Sequence, residues 1–310
     1  MKLVLMATAV LAVLVGSPAV RAEGEDLEAL LARQLFIDGK YDEAAAAARP
    51  LAEQGVARAQ LLMGYFHENG LGVAADPALA VAWYEKAAAQ GQPQAIHNLA
   101  RSYEVGDLGL AEDKARARVL YEQAAALDFG ASLHNLGRMW LWGEGGPADP
   151  AIGRALLERA VSLGHPEAIA DLAYVLATGD GLPADLLRAR ALYETAAGHR
   201  IDWAERDFAE MLELGEGGPV DLARAQDYYT RAARQGYAMA GMDLAELAWD
   251  HPDQFPDKVQ AAAWCLWAEA QPPQQGGTDY TGRCDPALAR LTEADRAAAR
   301  NLAETIALAE

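Results

Sequence analysis

The sequence predicts an all-α protein built as an αα-hairpin repeat solenoid, and three observations predict it. A nine-residue block returns five times: WYEKAAAQG at 83–91, LYEQAAALD at 120–128, LLERAVSLG at 156–164, LYETAAGHR at 192–200 and YYTRAARQG at 228–236. Anchored on Tyr84, its equivalents Tyr121, Leu157, Tyr193 and Tyr229 follow at intervals of 37, 36, 36 and 36 residues. A second series, Asp76, Asp113, Asp149, Asp185, Asp221 and Asp257, keeps the same intervals. A third pattern precedes each Asp from Asp76 to Asp221: small and apolar residues at helical spacing that end on Gly70, Gly106, Gly143, Gly179 and Gly215. A fixed period of this length is the signature of stacked supersecondary units, none of which can bury its apolar face alone.

The N-terminus reads as a secretory signal peptide over 1–22. Lys2 is the positive start, and Leu3–Val15 is an apolar stretch shorter than the roughly 20 residues of a spanning helix. Val20 and Ala22 place small residues for cleavage after Ala22. The mature chain is then expected in the periplasm or outside the cell, with no transmembrane segment after cleavage. Residues 23–57 read as an N-terminal capping helix pair, and 58–272 as the repeat solenoid.

Within each unit a helix A, such as "AIHNLARSYEVG", ends at a glycine suited to a left-handed C-cap. A short turn follows. The Asp then opens helix B, because its carboxylate accepts the free N–H groups of the first turn. Asp76 and Asp149 are each followed by Pro, which fits the first helical position. These aspartates are therefore helix caps, not a cation-binding array. The turn "GDLGLAED" carries one extra residue and explains the single interval of 37. The sixth turn, "WDHPDQFPD", departs from the others. Residues 273–310 read as a C-terminal loop and capping helix, with Thr292 and Asp295 opening the last helix as a variant capping box.

The formal charge of −19 excludes a nucleic-acid binder, which needs a basic face, and disfavours docking on an anionic membrane surface. Cys265 and Cys284 are the only cysteines, and in an oxidising compartment they form either a disulfide or two unpaired thiols. The six histidines, His67, His97, His134, His165, His199 and His251, show no metal-ligand spacing. A zinc site across His97 and His134, which occupy equivalent positions, is the weaker reading. The Gly70–Gly72 "GLG" follows a helix rather than a strand, so it does not read as a phosphate loop. No nucleophile elbow and no marked acid–base pair is present. The sequence thus predicts no catalytic residues, no metal and no cofactor.

The unit from Gly64 through Gly70, Gly72, Val73, Asp76, Ala80, Trp83, Tyr84, Ala87, Ala88 and Gly91 resembles a Sel1-like repeat, a relative of the tetratricopeptide repeats. The resemblance spans nearly all of the chain after the signal peptide, with a looser first pair closer to a general tetratricopeptide unit. It implies a right-handed superhelix whose A helices line a concave face. By analogy with tetratricopeptide packing, His97 and Arg101, His134 and Arg138, Ala170 and Tyr174, and Arg206 and Glu210 are expected on that face, with Trp142 as a further contact. The implied function is a non-catalytic scaffold or adaptor that holds a protein or peptide partner of the cell envelope, in signalling or polysaccharide export. The alternative is a secreted hydrolase: some cysteine-rich members are classed as β-lactamases, but they carry a cysteine pair in each repeat that this chain lacks.

Overall fold

The computed structural model describes residues 30–271, 280 and 282–307; the segment read as a signal peptide lies outside them. Among the described residues the regular structure is entirely helical, and successive helices pack as antiparallel pairs. The chain divides into two compact units at Leu163 and Gly164. In unit 1 the pairs are α1 (helical at 30–37) with α2 (Tyr41–Glu53), α3 (Ala57–Asn69) with α4 (Pro77–Ala88), α5 (Pro93–Val105) with α6 (Lys114–Ala125), and α7 (Gly130–Trp142) with α8 (Pro150–Ser162). In unit 2 they are α9 (Pro166–Thr178) with α10 (Leu186–Ala197), α11 (Asp202–Leu214) with α12 (Leu222–Arg234), and α13 (Ala238–Asp250) with α14 (Lys258–Ala270). The short α15 (Asp285–Leu288) and α16 (Glu293–Ala307) follow, and α16 packs on α14.

The six aspartates do the local work expected of them. Each side chain accepts a first-turn N–H: Asp76 from Leu79 at 3.0 Å, Asp113 from Arg116 at 2.9 Å, Asp149 from Ile152 at 3.2 Å, Asp185 from Arg188 at 3.1 Å, Asp221 from Arg224 at 3.1 Å and Asp257 from Gln260 at 2.9 Å. The A helices end in left-handed glycines at Gly70, Gly106, Gly143, Gly179 and Gly215. A Cβ at Gly72, Gly145 or Gly217 would strike the carbonyl of Tyr41, Lys114 or Leu186, at the start of the preceding repeat's helix B. Only glycine lets neighbouring repeats approach this closely. The extra residue of the second turn is absorbed at Leu108, whose φ of 51° is left-handed, followed by Gly109 at 80°. The sixth turn drops the glycine geometry altogether: its cap, His251, has φ −122°.

Each pair closes on small residues. Gly64, Gly137 and Gly241 on A helices leave room for Tyr84, Leu157 and Trp267 on the B helices. The first pair shares one core with α3, in which Ala32, Ala44, Ala48 and Leu51 meet Met63 and Phe66. Cys265 and Cys284 are joined by a disulfide, S–S 2.05 Å, and both are fully buried.

Candidate partner-binding face

Counting from its first residue, each helix A offers residue 9 to solvent. Arg101 of α5, Arg138 of α7 and Tyr174 of α9 are exposed, and Glu210 of α11 is half-buried. Residue 13 adds apolar surface: Val105, Trp142 and Leu214 are all exposed. In unit 1 the guanidinium of Arg138 lies 5.3 Å from the Trp142 ring, a cation–π arrangement on the surface. Arg101 donates to Glu68 of the preceding repeat at 2.6 Å.

Beneath this face runs a recurrent polar node. The B-helix tyrosines are buried, yet each hydroxyl finds a carboxylate on an A helix. Tyr84 donates to Glu68, Tyr121 to Glu104 at 2.6 Å, Tyr193 to Asp207 at 3.0 Å and Tyr229 to Glu213 at 2.8 Å. Asn135 of the following repeat donates back to the Tyr121 hydroxyl at 2.9 Å. Burial pushes all four phenols above their ordinary range, so they act as donors throughout the physiological pH range. The fourth pair of unit 1 replaces both partners together: Leu157 stands for the tyrosine and Leu141 for the carboxylate, both buried. An unmatched buried polar group is costly, so the exchange is made on both helices.

The predicted stripe is therefore changed at residue 5 of helix A. His134 is only 7% exposed, and Ala170 is fully buried. The His97 ring packs 5.4 Å from Tyr121 and 5.3 Å from Phe129, and its Nδ1 is 2.9 Å from the Ser132 hydroxyl. Residue 5 turns toward the next repeat, so these side chains serve the stack rather than a ligand. Arg206, at residue 5 of α11, is likewise only 17% exposed at its side chain and is held by Asp207 at 3.2 Å, Glu210 at 2.5 Å and Asp243 at 2.7 Å. Burial is the main cause that pushes the Asp243 carboxyl up to about 6, against the pull of Arg206.

A second repeated device escaped the sequence reading. The Arg190 guanidinium donates to the carbonyls of Glu216 at 3.0 Å and Pro219 at 2.8 Å, clamping the next repeat's turn. Arg118 does the same to the Pro147 carbonyl at 3.2 Å, stacked 3.5 Å from the Trp140 ring. Each clamp meets a Gly-Gly-Pro turn, in which a Cβ on Gly146 or Gly218 would collide with the guanidinium. Among the described residues no group of three or more His, Cys, Asp or Glu is placed to hold a metal ion, and no helix is long and apolar enough to cross a membrane.

The model of the Sel1 repeat family matches five consecutive segments, 57–92, 93–129, 130–165, 166–198 and 204–237, together more than half of the chain. This chain belongs to the Sel1 repeat family. Its fold is similar to that of a Sel1 repeat protein from Oxalobacter formigenes, with TM-score 0.69, 28% identity, and coverage of 80% of this chain and 98% of that one. A weaker likeness joins it to c5321, a protective antigen of uropathogenic Escherichia coli strains with an SLR fold, with TM-score 0.42, 21% identity, and coverage of 86% and 72%. Chitin synthase regulatory factor 3 of Schizosaccharomyces pombe is 47% identical over 58 residues, 19% of this chain. That stretch spans only 6% of the yeast protein. Sel1 repeat proteins generally mediate protein–protein interaction, and their scaffold is typically non-catalytic.

Proposed function

We propose that this Sel1 repeat protein is a non-catalytic adaptor of the periplasm that holds a protein or peptide partner of the cell envelope on the A-helix face of unit 1. The carrying observation is the exposed row of Arg101, Arg138 and Trp142 on successive A helices. The Tyr84 and Tyr121 nodes beneath it hold those helices in register. Arginine grips carboxylates through paired N–H donors, and an exposed tryptophan adds apolar area at low entropic cost. The expected ligand is an acidic, extended or helical segment. The sequence of residues 1–22 supports secretion, and a mature protein beginning at Glu23 in the periplasmic fraction is the expected mass-spectrometric result.

The test is in-cell crosslinking and affinity capture of the tagged mature protein from its own envelope, repeated with Arg101→Glu/Arg138→Glu. An enriched partner that the double variant loses, with helical content and melting preserved, supports the reading. Full-strength capture by the double variant removes unit 1's arginines from the function.

A further inference from the structure

In α14 the repeat pattern breaks at two positions at once. The place held by Tyr84, Tyr121, Tyr193 and Tyr229 is taken by Cys265, so a covalent bond to Cys284 stands where four other repeats have a hydrogen-bonded phenol. Two residues further on, where earlier B helices carry Lys86, Gln123, Arg159, Thr195 and Arg231, stands Trp267, almost fully buried. It sits over Gly241 of α13 and makes an edge-on contact with Trp264 at 5.6 Å. A position that is polar and exposed at Lys86, Gln123, Arg159 and Thr195, and polar at the half-buried Arg231, is therefore apolar in α14, and α16 packs on this helix. The cover itself is weak: α16 is rich in alanine, only Ala299 among its described side chains is fully buried, and Leu302 and Ile306 are half-buried.

We infer that the Cys265–Cys284 bond is a redox latch that keeps the terminal segment α15–α16 closed over α14, and that a dithiol reductant opens it. A thiolate of the reductant attacks one cystine sulfur, forming a mixed disulfide, and the other cysteine leaves as a thiolate that takes a proton from water. The reductant's second thiol then displaces the remaining cysteine and leaves as its own disulfide. Both cysteines are shielded from solvent, so attack follows local opening of the segment, and each reduction removes the tether that would close it again. The tether joins residues 19 apart, and losing a loop closure of this size makes detachment of Cys284 and α15 from α14 more frequent by roughly a hundredfold. The inference stands independently of which partner unit 1 takes.

Hydrogen exchange of the full chain, oxidised and after dithiothreitol, tests it directly, because these are its only two cysteines. Amides of 285–291, held by Cys284, should exchange roughly a hundredfold faster once reduced, and those of 293–307, which lie beyond the closed loop, should exchange a few-fold faster through their longer tether. The helices α9–α12 should keep their protection, Trp264 and Trp267 should become quenchable by acrylamide, and reoxidation should restore both readouts. Cys284→Ser should match the reduced protein. Unchanged exchange at 285–291 after verified reduction overturns the latch. So does loss of protection in α9–α12 together with α16, which would make the bond a staple of the whole unit.

Discussion

Replacing Tyr121 by Phe keeps the ring and removes one oxygen. That oxygen donates to Glu104 at 2.6 Å and accepts from Asn135 at 2.9 Å, so two bonds are lost across three helices. A hydrogen bond to a charged group contributes about 1.5–3 kcal/mol and a neutral one about 1 kcal/mol. Glu104 and Asn135 are only half-buried and regain water, which places the net cost near 2 kcal/mol. The fourth pair supplies the control, because Leu141 and Leu157 build the same junction without polar atoms. Glu104→Leu combined with Tyr121→Phe should therefore cost less than the sum of the two single changes, by about 1–2 kcal/mol. The measurement is urea unfolding followed by far-ultraviolet circular dichroism, with hydrogen exchange over 93–142 to localise the loss. A Tyr121→Phe protein within about 0.5 kcal/mol of its parent, or a strictly additive double variant, would refute the node as a structural coupling.

Gly217→Ala puts a methyl group against the Leu186 carbonyl at a left-handed φ of 64°, and should cost more than about 2 kcal/mol in the same urea assay. Arg190→Ala removes the clamp on the Glu216 and Pro219 carbonyls and should cost about 2 kcal/mol, with faster exchange confined to the repeats that the clamp joins. For pH, Asp243 is raised to about 6 by burial, with Asp207 and Glu213 raised in the same direction. Between the unfolded carboxylate value near 4 and that value of about 6, the folded state binds the extra proton, so stability falls as pH rises through this window. Urea midpoints should be higher at pH 5 than at pH 7 through this group, and Asp243→Asn should flatten that segment of the profile.

The repeat, its helix boundaries and its caps were legible because each follows from backbone chemistry that a local sequence signals: aspartate for free N–H groups, glycine for a left-handed end. The proposed partner face was only partly legible. The tetratricopeptide analogy placed residues 5 and 9 of helix A together, and residue 9 does meet solvent at Arg101, Arg138 and Tyr174. Residue 5 does not. His134 is buried, and His97 spends its ring on Tyr121 and Phe129, because these A helices turn that edge into the neighbouring repeat. Helical spacing says which residues share a face and not which neighbour covers it. Paired departures from the repeat did carry a signal. Leucine replaces tyrosine at 157 in the same unit where leucine replaces glutamate at 141, and arginine at 118 and 190 precedes each Gly-Gly-Pro turn.

The arginine clamps and tyrosine nodes reach only as far as an adjacent repeat; the longest side-chain bond described above, Arg206 to Asp243, spans 37 residues. Pulled from its ends, either unit should therefore yield as a ratchet rather than as a single rupture. Each event would release one helix pair, about 36 residues, and lengthen the chain by roughly 120 Å. Held at both ends, such a unit would then act as a graded extensible tether whose increments are set by the sequence period.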